Sequence, residues 1–129
     1  MNNSSVCVDA NIVVQLVLGG AQAASITANW AAWRQAERAI VAPTLLFYEV
    51  SNVLHRYVVH GELLVEEATE LFEAILALKI NVYGDAALHR QAVILARRFA
   101  FPATYDAHYL ALAERLGADF WTVDRRLAR

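Results

Sequence analysis

Cysteine occurs once in the 129 residues, at Cys7. One thiol excludes an internal disulfide framework and any zinc centre built from several cysteines, and it suits a reducing compartment. Set in the apolar run Val6-Cys7-Val8, it reads as buried. Lysine also occurs once, at Lys79, and the formal net charge is −2. That balance excludes a module that holds nucleic acid by basic charge alone. No apolar run approaches the roughly 18 to 20 residues of a membrane span. The first residues have neither the basic start nor the small-residue cleavage site of a secretory signal. The expectation is a cytoplasmic protein with no membrane partner. Several signatures are missing as well: G-x-x-x-x-G-K-[ST], G-x-G-x-x-G, H-E-x-x-H and G-x-S-x-G. The four histidines, His55, His60, His89 and His108, are unclustered along the chain and read as surface or core residues rather than ligands.

Hydrophobic residues make up 58% of the chain, more than one small core needs. The surplus points to apolar surface covered by a second copy or a partner chain, and a homodimer is expected. Five of the thirteen acids, Glu62, Glu66, Glu67, Glu70 and Glu73, crowd one short segment. At helical spacing they form a solvated face. Outside it, eleven Lys and Arg stand against eight acids, and ten of the eleven are Arg, the side chain suited to bidentate phosphate contacts.

Short β-branched runs alternate with helical periodicity. Strands are predicted at Ser5–Asp9, Ala39–Ala42, Ile80–Tyr83 and Asp119–Val123. Helices are predicted from Asn11 to about Leu18, Ala23 to about Ala36, Thr44 to about His60 with Thr44 as N-cap, Val65 to Leu78, Asp85 to Phe99 and Thr104 to Leu116. A short Arg-rich helix is predicted to open at Asp124. In the helix after Asp85, the inward face is predicted to be Ala86, Leu88, Ala92, Leu95 and Ala96. Trp30 and Trp33, three apart, read as a core or interface stripe rather than as base-stacking platforms. The alternation is that of an α/β fold with a parallel sheet, in one domain spanning 1–129.

In such a sheet, ligands bind outside the carboxyl ends of the strands. Asp9 ends the first strand and Asp124 the last. Asp106 lies in the first turn of the last full helix. Taken alone, each reads as a helix cap or a dipole partner. Glu49 is different. It falls within the apolar stripe Leu46, Val50, Val53, Leu54 and Tyr57 of its helix, and a carboxylate buried there needs a partner. Like charges gathered at one edge raise one another's pKa unless a cation intervenes. A hard divalent ion, Mg²⁺ or Mn²⁺, takes carboxylate oxygens and water without Cys or His. Three neighbours can support such a site: Asn11, Thr122 two before Asp124, and Asn52 three past Glu49 on the same helical face. For Asn52 an ordinary satisfied polar residue is the competing reading.

Together, V-C-V-D-A-N, A-P-T-L-L-F-Y-E-V-S-N-V-L and Y-D-A-H-Y-L-A-L-A-E-R-L-G-A-D-F-W-T-V-D-R-R-L resemble the motifs of the PIN-domain ribonucleases. Within that family the similarity is to the VapC-like toxins of bacterial toxin–antitoxin pairs. The match covers nearly the whole chain. It implies a three-layer α/β/α sandwich around a central, mainly parallel sheet of four to five short strands. It implies that Asp9, Glu49, Asp106 and Asp124 form an acidic quartet holding one or two Mg²⁺ or Mn²⁺ ions, with Asn11 and Thr122 in supporting positions. It also implies metal-assisted hydrolysis of RNA phosphodiester bonds and restraint by a cognate antitoxin. Arg97, Arg98, Arg125, Arg126 and Arg129 are candidate phosphate contacts, against a reading as solvated surface. The chain stops at Arg129, where many members continue into a last short strand.

Two other readings are open. A receiver-like phospho-acceptor domain also carries acids at strand ends, but it needs a lysine near the site, and Lys79 precedes the third strand. A non-catalytic PIN-like interaction module would explain the apolar surplus but not four retained acids.

Overall fold

A computed structural model describes residues 4–122. Four strands, β1 (Val6–Val8), β2 (Ile40–Pro43), β3 (Asn81–Tyr83) and β4 (Asp119–Trp121), are separated by pairs of helices. These are α1 (Ala10–Leu18) and α2 (Ala23–Gln35), α3 (Leu45–Val59) and α4 (Val65–Leu76), and α5 (Ala86–Arg98) and α6 (Tyr105–Leu116). The strand order is β3-β2-β1-β4, and every pairing is parallel. The fold is the expected α/β sandwich.

The connectivity positions the site. The chain steps from β1 to β2 to β3 in one direction, then returns past both to lay β4 on the free side of β1. Right-handed crossovers in opposite directions put helices on opposite faces of the sheet, and α6 packs on β1, β2 and β4 with α5 against it. The reversal lies between β1 and β4, so the crevice at their carboxyl ends is the topological switch point. Lys79 leads into β3 and stands at the other edge.

Burial follows the layers. The central strands β1 and β2 are buried along their whole length, whereas the edge strands β3 and β4 are partly exposed. Two-sided burial is why Val6-Cys7-Val8 and Ile40-Val41-Ala42 are unbroken apolar runs. Trp30 and Trp33 join the core, with ring centroids 5.8 Å apart. The five glutamates of the acidic segment are all exposed, as their spacing implies. Cys7 is fully buried, and burial pushes its thiol pKa up to about 12, so it is an inert core residue.

Two details of the sequence expectation change. Ala86 is exposed, because it occupies the first turn of α5 before the helix settles on its neighbours. Thr44 stands at the start of α3 but already has helical dihedrals, and its side chain makes no cap bond. It is instead pressed by the turn after β3. A Cβ on Gly84 would lie 2.7 Å from the Thr44 hydroxyl, so only glycine lets the two segments approach this closely. Asp124 and the predicted tail helix, with Val123, Arg125, Arg126 and Arg129, lie outside the described residues.

Candidate functional site

Parallel pairing of β1 with β4 sets Val8 opposite Trp121. The next residues, Asp9 and Thr122, therefore meet at the carboxyl edge, where the Asp9 amide donates to the Trp121 carbonyl at 3.3 Å. The Thr122 hydroxyl donates to Asp9 Oδ2. The other oxygen, Oδ1, accepts from the Ile12 amide at 3.1 Å and caps α1. Capping and a working role are thus compatible for Asp9. The cap fixes the side chain's direction, and the hydroxyl holds the second oxygen.

Glu49 sits in the second turn of α3, half-buried as its place in the apolar stripe predicts. The buried Tyr109 of α6 donates its hydroxyl to Glu49 Oε1 at 2.5 Å, in the range of a charge-assisted O–H···O⁻ bond. Burial raises the Glu49 pKa above the ordinary carboxylate value. The Tyr109 bond opposes that rise, and the negative charges of Asp9 and Asp106 add to it. Tyr109 is itself pushed above the usual phenol range, by burial first and by the Glu49 charge second. It therefore stays a donor at any ordinary pH. Asp106, in the first turn of α6, is half-buried. Three carboxylates from three segments thus share one electrostatic neighbourhood at the switch point.

The remaining predicted positions divide. Thr122 bonds the Asp9 carboxylate, whereas the sequence expectation set it beside Asp124, which lies outside the described residues. Asn11 and Asn52 are exposed. Arg97 and Arg98 stand exposed in the last turn of α5. Asp124, Arg125 and Arg126 lie outside the described residues. Among those described, no three Asp, Glu, His or Cys side chains are grouped closely enough to hold an ion by themselves.

Sequence reasoning missed two features. Tyr109 lies three residues past Asp106 and so on the same face of α6; that spacing was a signal available in the sequence. His89 and His108 are on different helices, yet His89 Nδ1 lies 2.8 Å from His108 Nε2. Nothing in the sequence links them.

Comparisons with known proteins agree with this fold. The family model described as "PIN domain" matches residues 7–129. Ribonuclease VapC3 of Pyrobaculum aerophilum is 38% identical over 104 residues, which cover 73% of this chain and 77% of that protein. The crystal structure of VapC20 of Mycobacterium tuberculosis, described as a Sarcin-Ricin loop cleaving toxin, is similar with a TM-score of 0.69 at 18% identity. The match covers 93% of this chain and 92% of that one, and at that identity it speaks for the fold alone. A parallel sheet reversing beside β1, acids gathered at the reversal and a family match over nearly the whole length lead to one conclusion: this chain belongs to the PIN-domain family and is VapC-like within it.

Proposed function

We propose that the protein is a divalent-metal-dependent endoribonuclease, the toxin of a toxin–antitoxin pair, with its chemistry at the β1–β4 switch point. The observation that carries this reading is the convergence of Asp9, Glu49 and Asp106 from three segments, each close enough for the two aspartates to act on Glu49. A fold with no use for that convergence would disperse the charges. The name of the ribonuclease relative supports RNA as the substrate.

The donor set suits Mg²⁺ or Mn²⁺. Every candidate ligand is a carboxylate oxygen, and Mg²⁺ keeps several waters while binding only one or two carboxylates directly. Asp9, Glu49, Asp106 and Asp124 would hold one or two such ions. When bound, the ion supplies Lewis acidity toward a phosphate oxygen and lowers the pKa of water. The chain's own residues do the rest. Thr122 and the Ile12 amide fix the Asp9 carboxylate, Tyr109 fixes Glu49, and an ionised carboxylate of the set takes the proton from the attacking water. Phosphate contacts from Arg97, Arg98, Arg125 and Arg126 would position the strand.

A cognate antitoxin and a homodimer complete the proposal, in a cytoplasmic protein whose single nuclease domain spans 1–129. Val93, Ile94 and Phe99 of the α5 region are large apolar side chains left exposed, which supports a covered face. Among the described residues, no single helix is long and apolar enough to cross a membrane. The test is cleavage of RNA in Mg²⁺ or Mn²⁺ with and without EDTA. Chelation is expected to abolish cleavage, and cleavage that survives it would exclude the metal mechanism.

A further inference from the structure

A cavity opens at the first turns of α3 and α6. It has a volume of about 200 Å³ and is lined by Tyr48, Tyr83, Leu88, His89, Tyr105 and His108 among others. Tyr48 immediately precedes Glu49 in α3, and Tyr105 immediately precedes Asp106 in α6. Neighbours on a helix are offset by only 1.5 Å along the axis and about a third of a turn. The cavity and the acid cluster are therefore adjacent faces of the same two helical turns.

The chemistry of the lining narrows the occupant. It includes no Lys, Arg, Asp or Glu, so it does not suit a phosphate or any other ion. Its floor is apolar, with Leu88 fully buried. Tyr48 and Tyr105 are 74% and 62% exposed, unusual for large rings and suited to stacking against something planar. The volume is below the roughly 300 to 1,000 Å³ of sites for drug-sized ligands and suits a single ring system. Beside the Thr44 and tyrosine hydroxyls, the lining carries a pair of linked imidazoles. His108 Nδ1 lies 2.7 Å from the Thr104 carbonyl, which can only accept, so Nδ1 carries the proton. With both rings neutral, His108 Nε2 then accepts from His89 Nδ1. That leaves His89 Nε2 as a hydrogen-bond acceptor.

We infer that this cavity receives one nucleobase of the RNA next to the bond being cut, stacked on Tyr48 and Tyr105, with His89 accepting a hydrogen bond from the base. The inference rests on the ribonuclease reading and adds where base preference arises.

The test is cleavage of a randomised RNA pool with Mn²⁺, read by sequencing the new ends, with kinetics on the best substrate. Wild type is expected to show a base preference at one position flanking the cut. Tyr48→Ala and Tyr105→Ala should weaken that preference and raise KM on the order of tenfold, more than they lower kcat. Tyr48→Phe and Tyr105→Phe, which keep the ring, should restore both. Both substituted side chains are exposed, and unchanged melting curves would confirm folding. An unaltered preference in both alanine variants would overturn the inference while leaving the ribonuclease reading intact. Loss of self-association in place of a KM effect would assign the cavity to a second copy and overturn it equally. If wild type cleaves no RNA, the ribonuclease reading falls, and nucleoside titration followed at the His89 and His108 imidazole NMR signals decides the cavity separately. Shifted signals keep it as a base site; unmoved signals remove it.

Discussion

Asp85 and Glu49 show two ways of placing a carboxylate near the start of a helix. Asp85 caps α5 by accepting from the Leu88 amide at 3.1 Å, and Arg115 grips both its oxygens at 2.8 and 3.0 Å. Its pKa falls below the carboxylate range, through the Arg115 bond first and the backbone bond with it. Glu49 is half-buried and has acids as its charged neighbours, so its pKa rises in spite of the bond donated by the Tyr109 hydroxyl. One acid is placed where folding is content to have it charged. The other is placed where its charge is a cost, which the proposed cation would offset. On the proposed function, that contrast separates a structural carboxylate from one kept for chemistry.

The largest effect expected from breaking the contrast is on cleavage. Asp9→Asn keeps the cap, because Asn caps as well as Asp. Asp106→Asn keeps the shape of its turn. Each removes a charge from the proposed ion site. Altering groups that merely orient metal ligands costs about 10- to 100-fold, so these substitutions should lower metal-dependent RNA cleavage by more than about 100-fold. Asp85→Asn should leave it nearly unchanged. Initial rates of the three variants in Mn²⁺ make the comparison, and equal losses at all three would erase the distinction.

Tyr109→Phe is the intermediate case. It removes the hydroxyl that holds Glu49 but preserves the buried ring, which stacks on Phe120 at 5.9 Å. The expected loss is roughly 10- to 100-fold in cleavage rate and about 1 kcal/mol in stability. Rate assays and urea unfolding check the two halves. A large stability loss with full activity would make the tyrosine a folding device only.

The contrast also explains how much of the protein was legible in its sequence. The strands, the helices and their parallel order were readable because a sheet buried on both faces forces unbroken apolar runs, and the intervening helices show their own period. The places of Asp9 and Glu49 were legible because each violates its surroundings, one by ending an apolar strand and the other by interrupting an apolar stripe. Asp85 was seen only as the first residue of a helix, because nothing in sequence ties it to Arg115, thirty positions on. The His89–His108 pair was invisible for the same reason, since its contact depends on how α5 crosses α6. Thr44 misled because a Ser or Thr at a helix start is usually a cap, whereas the close approach of Gly84 occupies that side chain.

Stability should expose the contrast in sign. The folded Glu49 has a pKa above its unfolded value, so folding binds its proton more tightly. Without metal, stability should rise as pH falls from neutral through the raised pKa toward the ordinary Glu value of about 4.3. Glu49→Gln should raise the melting temperature at neutral pH in EDTA and flatten that rise. Mn²⁺ should stabilise wild type more than the variant, because the ion offsets a repulsion that the variant has already lost. Melting curves at several pH values, with EDTA and with Mn²⁺, test this. A Glu49→Gln variant less stable than wild type in EDTA would mean that Tyr109 outweighs the aspartates.

Asp85 should respond in the opposite sense and more weakly. Its folded pKa is depressed, so its contribution is present above the ordinary Asp value of about 3.9 and is lost as pH falls below it toward the folded value. The pair with Arg115 is exposed, so water and salt screen it. Asp85→Asn retains a competent cap and loses only the ion pair. It should lower the melting temperature slightly at neutral pH, by less in high salt, and have no effect at a pH where Asp85 is protonated in both folded and unfolded states. Arg115→Ala should produce a similar small loss, and the double variant little more than either, because both single changes break the same pair. Additive losses would show that cap and cation act separately on α5, which would leave the backbone bond to Leu88 as the main reason this acid tolerates its charge.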